Sequence, residues 1–312
     1  MRSEKLWVEK YRPKTVEECI LPESIKSNLK SIIESGNIPN LLFYGSAGVG
    51  KTTIAYALCN QLDYEYLYVN ASNEGRSIDT VRTTIAEFCT GMSLSGRKKI
   101  VILDEFCGVP SITQDALKGF FEQFSASCSF ILTANHKHKI NEPIRSRFSE
   151  IDFTIRKEEA PALGVQFMKR IVEICAQEKI KADKKAIAEL VKKFFPDFRK
   201  TINELQKFSA SGEFTEDSLK LLESPTEIII QYLKTKNFKE LRRVVASTSH
   251  IDTKVIAREL YNEMYNFVVP SSITNFIVII SDYQYKSSFA VDQEINLMAM
   301  FVELMGNIEF KD

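Results

Sequence analysis

An α/β domain built on a parallel sheet, followed by two helical domains, is predicted by three observations. Short apolar runs alternate with stretches of helical spacing over the first half of the chain. A glycine-rich loop, Gly45 to Thr52, stands between one such run and one such stretch. After about residue 155 the strand signal stops, while helical patterning continues. At 312 residues the chain has room for two or three domains. The expected divisions are 1–155 for the α/β domain, 156–223 for a small helical domain and 224–312 for a second helical domain, with Ser224-Pro225 as the second boundary.

Each element has its own signal. Ile25, Leu29, Ile32 and Ile33 have helical spacing. Leu41 to Tyr44 is a short apolar run ended by Gly45, as expected of a buried strand. Lys51 to about Leu62 is helical, Tyr66 to Val69 a strand, Ile78 to Cys89 a helix and Ile100 to Leu103 another buried strand. Thr113 to Phe124 is helical, Cys128 to Ala134 a strand, and Ile151 to Phe153 a last one. Residues 156–222 predict three or four helices punctuated by Pro196 and Gly212, and 226–312 are helical again, including Glu294 to Leu304.

Composition narrows the function classes. With 44% hydrophobic and 26% charged residues, the chain is not a disordered one. No run approaches the roughly 20 apolar residues that span a bilayer. The opening MRSEKLWVEKYRP lacks the apolar core of a signal peptide, so a cytoplasmic location is expected. The six cysteines have no close pair, which predicts free thiols and no zinc knuckle. Forty-one basic residues balance 41 acidic ones. That excludes bulk attraction as the route by which a lone monomer coats nucleic acid, and leaves a local basic face open.

Gly45-Ser46-Ala47-Gly48-Val49-Gly50-Lys51-Thr52 fits the phosphate-loop pattern. Glycines let backbone N–H groups turn inward around phosphate oxygens, and the following helix N-terminus favours negative charge. Lys51 can reach the β- and γ-phosphates, and Thr52 can ligate Mg²⁺; Thr53 stands beside them. Asp104 and Glu105 follow a four-residue apolar strand, at the tip that lies beside such a loop in a doubly wound sheet. Asp104 suits a magnesium-associated acid and Glu105 a base for the attacking water. Asn135 ends the next strand, within reach of γ-phosphate or water. Arg145-Ser146-Arg147 closes the α/β domain. A guanidinium fork stabilises a transferring phosphoryl group, and one far from its own loop must serve a neighbour. In the second domain Asp197 is a candidate N-cap. Arg199 then falls in a first helical turn, against the helix dipole, which points to a role outside the helix.

Together with Trp7-Val8-Glu9-Lys10-Tyr11-Arg12-Pro13, these landmarks resemble, in order, those of AAA+ sliding-clamp-loader ATPase subunits such as the replication factor C small subunit. Phe195 to Leu205 and Asp104-Glu105-Phe106 resemble most the large loader subunit of T4-like phages. The resemblance implies a P-loop AAA+ domain, a helical lid and a helical collar through which subunits oligomerise. It implies ATP and Mg²⁺ as cofactors, with Val8, Arg12 and Pro13 around the adenine. Asp104 and Thr52 would be the metal-associated pair, Glu105 the catalytic base, Asn135 the first sensor, Arg199 the second, and Arg147 a finger acting in trans. Phe148 stands where the family usually has Cys.

The implied work is to use ATP binding and hydrolysis to open a ring-shaped processivity clamp and place it on primer–template DNA. The implied partners are the clamp, the DNA, further copies of this chain and a different loader subunit, in a pentamer. The segment Asn73 to Arg82 resembles the DNA-backbone contact, with Ser77 and Ile78 N–H groups on phosphate, Arg82 on the same strand and Arg76 sensing DNA. Val109, Ile112 and Phe120 are the expected clamp contacts. Gln114 to Phe121 also fits a clamp-binding peptide, although Leu117 and Phe121 have the i,i+4 spacing of a core-facing helix. Another DNA-acting AAA+ ATPase, an initiator or branch-migration motor, is the alternative, followed by a protein-remodelling AAA+ ATPase.

Overall fold

The computed structural model describes residues 6–72, 78–91, 96–208, 212–220, 225–247 and 253–311. Two compact units divide the chain, Met1–Ser218 and Leu219–Asp312.

The first unit opens with α1 (Trp7–Lys10) and α2 (Glu23–Ser35), the latter ended by Gly36 in the left-handed conformation. The alternation then runs β1 (Leu41–Tyr44), α3 (Lys51–Gln61), β2 (Glu65–Asn70), α4 (Ile78–Thr90) and β3 (Lys99–Asp104). It continues with α5 (Ser111–Phe124), β4 (Cys128–Ala134), α6 (Glu142–Arg145) and β5 (Ser149–Asp152). The five strands pair in parallel in the order β2-β3-β4-β1-β5. Every residue of β3 is buried, as a central strand covered on both faces requires. One face packs Phe43, Ile100, Ile102 and Ile131 beneath α2 and α3. The other packs Leu42, Val101, Leu103 and Phe130 against α5. With β1 beside β4 and β4 beside β3, the C-terminal tips of these three strands form one rim.

The lid follows as α7 (Ala160–Gln177), β6 (Lys181–Ala182), α8 (Lys184–Phe194), α9 (Phe198–Lys207), β7 (Glu213–Phe214) and α10 (Glu216–Lys220). The β6–β7 pair is parallel, matching Lys181 with Glu213 and Ala182 with Phe214. It corrects the expectation that strands end near residue 155, because two residues per strand are too few to show a period of two. Asp183 caps α8 and Asp197 caps α9, the latter accepting the Lys200 N–H at 2.8 Å.

The second unit holds α11 (Pro225–Lys234), α12 (Phe238–Ser247), α13 (Thr253–Phe267), α14 (Ile273–Ser287) and α15 (Gln293–Asn307). These helices bury Leu233, Leu241, Leu260, Phe276 and Phe301 in their own core. All six cysteines are free thiols. No described helix is long and apolar enough to cross a membrane.

Candidate functional site

The rim formed by the tips of β1, β3 and β4 carries the site. The loop after β1 depends on glycine: Gly45, Gly48 and Gly50 hold φ of 142°, 76° and 95°, a region L side chains rarely occupy. A Cβ on Gly48 would also sit 1.9 Å from Asp197 Oδ1. The lid leans on the loop there, and the Phe198 N–H donates to the Gly48 carbonyl at 3.2 Å.

Lys51 is only 7% exposed. Its ammonium donates to the carbonyls of Gly45 (2.8 Å) and Ser46 (2.7 Å) and to Asn135 Oδ1 (2.9 Å), all neutral oxygens. Burial pushes it down to about 8, with Asp104 acting in the opposite direction. A buried cation in a glycine-rich loop, with no carboxylate among its hydrogen-bond partners, fits a phosphate.

Asp104 ends β3 and accepts from three hydroxyls: Thr52 (2.8 Å) and Thr133 (2.5 Å) on Oδ1, and Tyr68 (3.0 Å) on Oδ2. The Thr52 hydroxyl beside a fixed carboxylate is the hard-oxygen pairing that Mg²⁺ takes. Burial, and then Asp104, pushes the Tyr68 phenol well above its usual range, so it remains a donor to the carboxylate. Glu105 follows in left-handed backbone, φ 57°, a strained conformation for a residue with a side chain. Its own N–H donates to Thr133 Oγ1 at 3.1 Å.

The cleft joins the two ends of the first unit. Val8, Arg12, Pro13, Ala47 to Thr53, Asp104, Glu105, Asn135 and Arg199 all line it, and Gly45 and Ser46 adjoin it. Arg12 stacks 4.9 Å from the Tyr56 ring centroid, and its buried Nε has no acceptor among the described residues. Sequence reasoning missed Tyr68, Thr133 and the lid residues Phe167, Arg170 and Ile202. Thr133 alone had a local signal, as the neighbour of Ala134-Asn135.

Other expected residues lie elsewhere. Arg147 is not among the cleft-lining residues; its Nε and Nη2 both donate to Glu122 Oε1, and Nη1 donates to the Pro143 carbonyl. Arg76 and Ser77 lie outside the described residues, as does the Ile78 side chain, while the Ile78 backbone begins α4. Arg82 is half-buried, its guanidinium 5.9 Å from the Phe120 ring centroid.

Two of the three expected clamp contacts are buried. Val109 and Phe120 are 8% and 6% exposed, within the core that also buries Leu117, Phe121 and Phe124. Gln114 is 1% exposed and donates to the carbonyls of Val109 and Lys139. The Gln114–Phe121 pattern is therefore the inward stripe of α5. Ile112, 86% exposed at the start of α5, is the accessible residue of the three.

Comparison with known proteins fits this geometry. Residues 41–156 match the model of the ATPase family associated with various cellular activities, and residues 161–219 match the lid domain of the sliding-clamp-loader large subunit. The sliding-clamp-loader large subunit of Enterobacteria phage T4 is 36% identical over 97% of this chain and 96% of its own length. The replication factor C small subunit of Staphylothermus marinus is 35% identical over 97% of this chain and 95% of its own. A Thermotoga maritima RuvB structure shares the fold, with a TM-score of 0.55 over 80% of this chain and 85% of its own at 16% identity. A phosphate loop, a hydroxyl-fixed acidic strand tip and a lid resting on the loop thus occur in a chain related along almost its whole length to loader subunits, and this chain belongs to the sliding-clamp-loader large-subunit family of AAA ATPases.

Proposed function

We propose that this chain is the ATP-hydrolysing subunit of a sliding-clamp loader, which opens a ring-shaped processivity clamp and sets it on primer–template DNA during replication. The observation that carries the reading is the cleft itself, in which the phosphate loop, Asp104-Glu105, Asn135 and the lid's Arg199 converge in a chain 36% identical to a named loader subunit. In this reading the backbone of Gly45 to Gly50 and the Lys51 ammonium hold the phosphates of ATP. Val8, Arg12 and Pro13 form the wall against the base. Thr52 and Asp104 hold Mg²⁺, which when bound neutralises charge on the phosphate oxygens. Glu105 accepts the proton of the attacking water, Asn135 orients it, and Arg199 reports phosphate occupancy to the lid.

The finger comes from a neighbour. The position of Arg147 outside its own cleft supports a role for its guanidinium in the site of an adjacent subunit, where a trans arginine is worth about 10³–10⁵ in rate. Copies of this chain and a different loader subunit form a pentamer around the DNA, held in part by the second unit acting as a collar. In this reading the DNA backbone is met by the Ser77 and Ile78 N–H groups and by Arg82, DNA is sensed by Arg76, and the clamp is met by Ile112. The assembly works in the cytoplasm. Steady-state ATP hydrolysis with clamp, with primer–template DNA and with both tests the reading. Stimulation by the pair beyond either alone is expected; equal rates in all conditions would contradict it.

A further inference from the structure

The cleft wall formed by residues 7–13 is a strap between the lid and the ATPase body. On the lid side, the Trp7 amide donates to Gln206 Oε1 on α9 at 3.0 Å. The Tyr11 hydroxyl and the Lys10 ammonium both donate to Glu178 Oε1, at 2.5 and 2.7 Å, one residue past the end of α7. Arg170 on α7 reaches the Tyr11 carbonyl at 3.4 Å. On the body side, Arg12 stacks on Tyr56 of α3. Between these two anchorages Val8, Tyr11, Arg12 and Pro13 face the cleft.

Glu178 is the carboxylate on which two donors of the strap converge, and its side chain is 19% exposed. Charge-assisted bonds in such a partly covered place are stronger and more directional than those between neutral groups. We infer that Glu178 is a positioning residue for the base end of the bound nucleotide: by fixing Lys10 and Tyr11 to the lid, it sets the wall that Val8, Arg12 and Pro13 present to the base. The inference rests on the reading of the cleft as the ATP site. Glu178 does not line the cleft and hydrogen-bonds to neither the phosphate loop nor Asp104. Its effect therefore falls on ligands that carry a base and spares those that are phosphate alone.

The test is calorimetric binding of Mg-ATP and of Mg-tripolyphosphate to the full chain and to E178A, E178Q and Y11F. E178A is expected to weaken ATP about tenfold, the loss of charge-assisted bonds, and to leave tripolyphosphate within about twofold of wild type. E178Q keeps an oxygen acceptor and restores most of the ATP affinity. Y11F, which keeps the ring, reproduces part of the loss and preserves the test where E178A folds poorly. ATP affinity unchanged in both E178A and Y11F would overturn the inference. So would an equal loss for both ligands, which marks a purely structural role. A wild-type chain that binds no ATP would overturn the reading of the cleft, and the inference with it.

Discussion

Ser72 Oγ lies 2.5 Å from Glu105 Oε2 and 2.8 Å from Asn70 Oδ1. The hydroxyl has one proton for these two acceptors, and the carboxylate is the stronger of them. Ser72 follows β2 and Glu105 follows β3, so the contact joins the tip of β3 to the segment that leads into α4. In the proposed mechanism, a carboxylate oxygen engaged by Ser72 is withheld from the attacking water. S72A should therefore raise ATP hydrolysis in the absence of DNA by about tenfold. Its rate with clamp and primer–template should stay near that of wild type. Steady-state turnover with and without the two ligands measures this, and an unchanged unstimulated rate would show that Ser72 does not restrain Glu105.

Lys51 gives binding a pH dependence. Burial lowers the ammonium from an ordinary value near 10.5 to about 8 in the nucleotide-free fold. A bound triphosphate favours the charged form and draws the proton affinity back up. Binding therefore takes up a proton above about pH 8, and ATP affinity falls there by up to about tenfold per pH unit. The sign for stability is opposite. The unfolded chain holds this proton longer, so this group makes the nucleotide-free fold more stable as pH rises through the same window. Calorimetry at pH 8.5 in two buffers of different ionisation enthalpy should show net proton uptake; none would contradict this account of Lys51.

Ile112 and Phe120 separate surface from core on one helix. I112D, at an 86% exposed position, should abolish clamp stimulation while shifting stability by no more than about 0.5 kcal/mol. F120A removes a buried ring that packs on Phe124 at 4.8 Å and should cost about 3–5 kcal/mol. Denaturant unfolding together with clamp-stimulated turnover distinguishes the two. Clamp stimulation intact in I112D would remove that residue from the contact.

Two inner strands of the sheet were legible because they hold apolar runs: Leu41 to Tyr44 and Ile100 to Leu103 admit little else between their flanking helical stretches. The phosphate loop was legible because its chemistry is local in sequence. Partners brought by the fold were not. Tyr68 reaches Asp104 across 36 positions, and Glu178 meets Tyr11 across 167. The burial of Phe120 was not legible for a different reason. In the sequence an aromatic on α5 suits a docking surface or a core equally, and only the fold, which packs Phe120 4.8 Å from Phe124 in a buried cluster, distinguishes them. The β6–β7 pair, two residues per strand, left no pattern to read.

In the proposed assembly each complete site takes Glu105 from one subunit and Arg147 from the next. Co-assembly of E105Q chains with R147A chains tests it most directly, since each variant alone lacks one half of every homotypic site. If the site is shared, turnover in the mixed assembly with clamp and primer–template DNA will rise well above that of either variant alone, because an R147A chain beside an E105Q neighbour regains both groups. Turnover no greater than the average of the two separate variants would contradict it.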